Sequence, residues 1–200
     1  MEGIYTNRAC ARGQSILTWR MAAPVYYTAE MVRKLPEDGN RYETVHGELL
    51  VTPAPRMWHQ VVLERLRDAL KVYLLRHPEW FILSAPADIS PGPDVLVQPD
   101  LFVVPLQEAR TLDWARLSHL ELVVEVLSDT TARADRFAKR WLYQDMGVPT
   151  YWIVDADEHF VEIWTPEMAL PVVEHERLGW SPTGSSEPLL VSLAELFRPL

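Results

Sequence analysis

The chain holds one cysteine, Cys10, in 200 residues. An internal disulfide is excluded, and a zinc site built from cysteines has no basis. So sparing a use of cysteine suits a reducing compartment, and a cytoplasmic location is the expectation. No apolar run approaches the ~18 residues that a membrane span needs. Basic residues are also scarce: 19 Lys and Arg stand against 28 Asp and Glu, for a net charge of −9. A protein that only coats nucleic acid is usually basic. Any nucleic-acid role must therefore rest on a local patch or on bridging cations. There is no internal repeat and no inter-domain linker. What remains, 48% hydrophobic and 24% charged residues, is enough for a sizeable core.

The first twenty residues differ in character, with Arg8, Arg12 and Arg20 against Glu2 and no sustained period. They read as a disordered or overextended tail ahead of Met21, leaving one domain over 21–200. "YYTAEMVRKLPEDG" reads as a short helix capped by Thr28, with Met31, Val32 and Leu35 on one side. "RYETVHGELLVT" reads as two strands turning at His46-Gly47. Apolar residues at 62, 63, 66, 70, 73 and 74 mark a long amphipathic helix. "WFILSAPADIS" and "DVLVQPDLFVVP" read as strands on either side of a Pro-Gly-Pro turn. "LQEARTLDWARL" reads as a short helix and "HLELVVEVL" as a strand buried on both faces. A second long helix follows over "DTTARADRFAKRWLYQDMG", capped by Ser128 or Asp129 and ended by Gly147. "TYWIVD", "HFVEIWT" and "LPVVEHERL" are three further strands, and "SLAELF" is a closing helical turn. The order predicts an α/β fold, a mixed central sheet flanked by helices with hairpins at its edges.

Glu125 stands in the middle of the most apolar strand. A buried carboxylate costs several kcal/mol unless something pairs with it. It binds a cation, is held protonated, or lies in a less buried strand than the pattern implies. Asp100 follows Pro99 at the head of "LFVV". Two carboxylates on neighbouring strands make a hard-oxygen site suited to Mg²⁺ or Mn²⁺. Lys139 is four residues from Asp135 on the second long helix. At ~100° per residue, Ala134, Phe137, Ala138 and Trp141 form its apolar arc, and Lys139 lies on the flank. Arg133, Arg136 and Arg140 make another arc that could meet phosphates. Glu48 and His59 are further candidates for holding a metal, a water or a phosphate, and Asp88 is a weaker one. Each has a plainer reading. Asp100 can be a turn aspartate, Lys139 a helical partner of Asp135, His59 a structural histidine, and the arginines a solvated face.

From Tyr27 to Phe197 these blocks resemble the Uma-type restriction endonuclease family of the PD-(D/E)XK nuclease superfamily. The resemblance rests on "LPEDGNRYETVHGELLVTPAP", "HQ" opening a helix, "VQPDLFVV", and "LVVEVLSDTTARADRFAKRWLYQDMGVPTYWIVD". It implies a restriction-endonuclease-like fold, a four-stranded mixed core sheet flanked by helices with extra edge strands. It implies Asp100 as the motif aspartate and Glu125 as the acid of the following strand, together holding Mg²⁺ or Mn²⁺. The superfamily lysine two residues after that acid is Leu127 here, and Lys139 fits a lysine moved onto the next helix. Glu48 and His59 fall on positions near the implied site. The implied activity is hydrolysis of DNA phosphodiester bonds, and cutting two strands implies a homodimer. Two other readings stay open: a silent nuclease-fold module that binds nucleic acid or protein, and an acid/base enzyme of another class with Asp100 and Glu125 as the pair.

Overall fold

The computed structural model describes residues 25–128 and 130–200. The expectations for residues 1–20, and for Asp129 as a helix cap, fall outside them. Six strands make the central sheet: β3 (Trp80–Ser84), β4 (Leu101–Pro105), β5 (Leu122–Val126), β6 (Thr150–Asp155), β7 (Phe160–Trp164) and β8 (Val172–Glu174), in that spatial order. All neighbours are antiparallel except β5 and β6. A parallel pair needs a crossover. It is supplied by a helical run made of α4 (Ala132–Ala134), a π-helical segment (Asp135–Lys139) and α5 (Arg140–Asp145).

The two faces of the sheet are covered by different helices. On one side lies α2 (Met57–Leu74), whose Val62, Leu63, Leu66, Leu70, Tyr73 and Leu74 are all buried, as their spacing predicts. They join Leu122, Val124 and Val126 of β5 in one core. Each such buried aliphatic side chain contributes about 1.5–3 kcal/mol. On the other side Val123 packs with Leu142, Tyr143, Tyr151 and Ile153. β5 is thus buried along its whole length, and Glu125, in phase with Val123, faces the crossover helices.

Away from the sheet, β1 (Arg41–Val45) and β2 (Glu48–Thr52) form the expected hairpin. Its turn residues His46 and Gly47 both have positive φ, 49° and 83°, as a tight two-residue hairpin turn requires. A Cβ on Gly47 would lie 2.3 Å from the Tyr26 ring. Thr28 caps α1 (Ala29–Val32), accepting from the Met31 amide. Ala29 and Val32 are its buried residues, while Met31 is exposed.

Four segments differ from expectation. "WFILSAPADIS" is a strand only over Trp80–Ser84, ending before Pro86, with a lone bridge at Ile89. "DVLVQPDLFVVP" becomes a strand only from Leu101. Pro99 offers no N–H to a ladder, and residues 96 and 97 bridge instead to Thr44 and Ile89. "LPVVEHERL" breaks into β8 and β9 (Arg177–Trp180). β9 leaves the central sheet to pair with β10 (Leu189–Ser192), a strand not expected from the pattern. "LQEARTLDWARL" is a single turn, α3 (Leu106–Ala109), followed by a 3₁₀ turn at Trp114–Arg116. The closing turn is α6 (Leu193–Leu196), capped by Ser192.

Candidate active site

The antiparallel register of β4 and β5 sets Leu101 opposite Val124. One residue further along, the same register puts Asp100 beside Glu125. Asp100 is 4% exposed and does not continue the ladder. Its Oδ2 accepts from the Val126 amide (2.9 Å) and lies 3.2 Å from His59 Nε2, while Oδ1 accepts from Arg41 Nη1 (2.9 Å). His59 comes from the first turn of α2, and Arg41 from the start of β1. A carboxylate only accepts, so His59 Nε2 is the donor of this pair, and Nδ1 is buried without a hydrogen-bond partner.

Glu125 Oε1 accepts from Lys139 Nζ (2.9 Å) and from the Tyr143 hydroxyl (3.2 Å). Lys139 is 1% exposed and is also 2.9 Å from Glu43 Oε2 and 3.5 Å from Asp135 Oδ1. It ends the π-helical segment. Hydrogen bonding from i to i+5 widens that turn, and such segments often occur at functional sites. The buried residues of the helical run are Asp135, Lys139, Arg140, Leu142 and Tyr143. Phe137 and Trp141, read from sequence as its inward arc, are 60% and 57% exposed. An apolar arc is the ordinary inward face, but here the inward face is one that pairs charges.

Four carboxylates, Glu43, Asp100, Glu125 and Asp135, therefore meet two permanent cations, Arg41 and Lys139, out of water. Three of the carboxylates respond differently. Burial favours the neutral form of Asp100, but the His59 hydrogen bond and the Arg41 charge outweigh it, holding Asp100 well below the usual carboxylate range. Burial also pushes Glu125 up; Lys139 opposes this, and the charges of Asp100, Asp135 and Glu43 add to it, so its pKa stands well above the ordinary value. Asp135 is raised for the same reasons, burial first. Burial works against the Lys139 ammonium, yet Glu125, Glu43 and Asp135 together hold its pKa above the usual lysine value. These neighbours favour the charged form of Lys139.

Asp100, Arg41 and His59 form part of the wall of a cleft of about 710 Å³, whose rim includes Arg33, Arg56 and Thr131. A smaller cavity of about 140 Å³ reaches Glu43, Asp135 and Lys139 from behind β2. Of the residues singled out from sequence, Asp100, Glu125, Lys139 and His59 come together. Glu48 is exposed at the head of β2 and is not brought to the cluster. The arginine arc is also elsewhere: none of the three lines the cleft. Arg133 is exposed, Arg136 pairs with Glu162 (2.7 Å) and Asp155 (3.3 Å), and Arg140 lies over the rings of Trp141 and Trp164. Asp88 pairs with Arg33 on the cleft rim. Two members were not foreseen. Glu43 and Arg41 sit in the strand before Glu48, and their alternation in "RYETV" places both on one face of β1. That period was the available signal.

Among the described residues no three His, Cys, Asp or Glu side chains form a ready-made metal cage. The acids surround Lys139 and Arg41. The donor set is nevertheless the kind that Mg²⁺ or Mn²⁺ takes, hard carboxylate oxygens with surplus negative charge. Both hydrogen bonds to Glu125 fall on Oε1, and the buried Glu43 Oε2 and Asp135 Oδ1 have only their ion pairs with Lys139. The residues fit such an ion.

The same architecture occurs in a crystal structure from Anabaena variabilis described as a putative nuclease belonging to DUF820. It superposes with a TM-score of 0.67 at 21% identity, over 86% of this chain and 97% of that one. The fold is thus of the restriction-endonuclease-like α/β class. A family model, Uma2, described as "Putative restriction endonuclease", matches residues 29–193, and the chain belongs to that family. None of the curated proteins matches it.

Proposed function

We propose that this protein is a metal-dependent endonuclease that hydrolyses DNA phosphodiester bonds. The observation that carries the reading is the charge count of the buried cluster. Four carboxylates share two cations, Arg41 and Lys139, so the cluster would carry two surplus negative charges with every acid ionised and must otherwise hold a carboxyl protonated; Asp100 and Arg41 open it to the cleft. A divalent cation is the ligand that balances it. Family membership gives the reaction class, nuclease.

Asp100 and Glu125 would hold Mg²⁺ or Mn²⁺, which when bound acts as a Lewis acid on a phosphoryl oxygen and lowers the pKa of water. The chain's own groups do the rest. The Val126 amide and His59 fix the Asp100 carboxylate. Tyr143 and Lys139 fix Glu125. Lys139 stays protonated, so it orients water and steadies negative charge on the phosphorane without taking a proton. Arg33, Arg41 and Arg56 around the cleft replace the helix arginines as the side chains placed to meet a DNA backbone. No helix among the described residues is long and apolar enough to cross a membrane.

The test is cleavage of supercoiled plasmid and of single-stranded DNA by the full chain with Mg²⁺, with Mn²⁺ and with EDTA, beside Glu125→Ala. Cutting that needs the metal and vanishes in the variant is expected. Cutting that survives EDTA would overturn the metal-dependent reading, and a folded protein that binds DNA without cutting it would favour the binding module.

A further inference from the structure

Arg41 occupies the part of the site that a metal ion would need. Asp100 Oδ2 already has two donors, the Val126 amide and His59. The lone pairs left are the two on Oδ1, and Arg41 Nη1 takes one of them at 2.9 Å, setting its charge beside the other. The same Nη1 is anchored to the Gln98 carbonyl (3.1 Å), and Arg41 Nε lies 3.8 Å from Glu43 Oε2. The guanidinium therefore bridges two of the four acids, as a cation would. A divalent ion on Asp100 and a guanidinium on the same oxygen repel strongly in this poorly solvated place.

Of the groups on Asp100, Arg41 is the one able to move. The Val126 amide belongs to β5. Both other side chains line the cleft, but that of His59 is only 8% exposed at the head of α2, whereas that of Arg41 is 21% exposed. The cleft beside it has room for a long side chain. A planar guanidinium freed into it has the fork that matches a phosphate.

We infer that Arg41 is a built-in stand-in cation. It holds the Asp100 side of the site together when no metal is bound and, displaced by the ion, turns into the cleft to hold the substrate phosphate. This rests on the metal-dependent nuclease reading. Metal loading and phosphate binding are then linked, because the ion releases the arginine that the DNA backbone takes up.

The experiment is a calorimetric titration of the full chain with Mn²⁺, for the native protein, Arg41→Met, Arg41→Gln and Asp100→Asn, with thermal unfolding to confirm each fold. A nuclease-resistant phosphorothioate duplex is then titrated into each Mn²⁺-loaded protein. Removing the competing charge is expected to tighten Mn²⁺ binding about tenfold, a usual size for coupling between two ligands, while duplex binding weakens. Arg41→Gln keeps a hydrogen-bond donor without the charge and is expected to behave likewise, so it serves if Arg41→Met does not fold. Native binding of Mn²⁺ that Asp100→Asn abolishes, with unchanged or weaker binding in both Arg41 variants, would overturn this inference and leave the nuclease reading standing. No Mn²⁺ binding by any of the four would overturn both.

Discussion

Replacing Lys139 by methionine removes the one cation within 3.5 Å of Glu43, Glu125 and Asp135 while keeping the length of its stem. At an effective dielectric of about 20, each close pair is worth about 4 kcal/mol of attraction, against a desolvation cost of several kcal/mol for the ammonium. Breaking buried pairs of this kind costs about 3–5 kcal/mol, because the partner charges stay buried. For a chain of this size that lowers Tm by about 6–20 °C. The loss has a pH signature. The Glu125 and Asp135 carboxyls are already raised by burial and by one another, and without Lys139 they rise further. A carboxyl with a raised folded-state pKa is favourable to folding below its unfolded value, near pH 4, and costs stability as pH rises from there toward the folded value. The deficit of Lys139→Met against the native chain should therefore be largest near pH 8 and smaller at pH 5. It should shrink by about 1.4 kcal/mol for each pH unit over which the variant keeps one more carboxyl protonated. Urea unfolding at pH 5, 6.5 and 8 measures this. A deficit below ~1 kcal/mol, or one that does not change with pH, would refute the buried charge cluster.

Asp100→Ala leaves the buried Val126 amide without its side-chain acceptor and removes the nearest counter-charge of Arg41, so a loss of about 2–4 kcal/mol is expected in urea unfolding. Asp100 itself is held below the usual range, so its contribution is full above about pH 4 and fades as the solution is made more acidic. Arg140→Ala removes contacts with the Trp141 and Trp164 rings at 3.9 and 4.6 Å; about 1–2 kcal/mol of stability should go, with cleavage rate retained in a plasmid assay. Glu48→Gln should leave both stability and cleavage within error of the native chain, since the side chain is exposed at the hairpin.

Where the sequence was readable, a strong local pattern agreed with the tertiary structure. The six apolar positions of α2 are its buried face. The His46-Gly47 turn follows from backbone conformations that few residues adopt. Glu125 was legible because a carboxylate in a Val-rich strand demands an explanation, and Lys139 with Tyr143 supplies one. The helical run after β5 was misread in orientation for a related reason. Its inward face carries Asp135 and Lys139, so hydropathy points to Phe137 and Trp141, which face outward. Glu43 and Arg41 were hidden because a charged pair in a short exposed-looking hairpin is ordinary. Only their distant partners, Gln98, Asp100 and Lys139, make them part of a site. β10 was missed because a four-residue strand needs β9 to exist, and no local period announces it.

The most direct test of the surplus charge is Mn²⁺ binding by calorimetry at pH 7 in two buffers of different ionisation heat. If the cluster keeps a carboxyl protonated until a cation arrives, one ion should bind per chain with release of a proton. Both the binding and the proton release should disappear in Glu125→Gln. Binding without proton release, or binding unchanged in Glu125→Gln, would contradict the account.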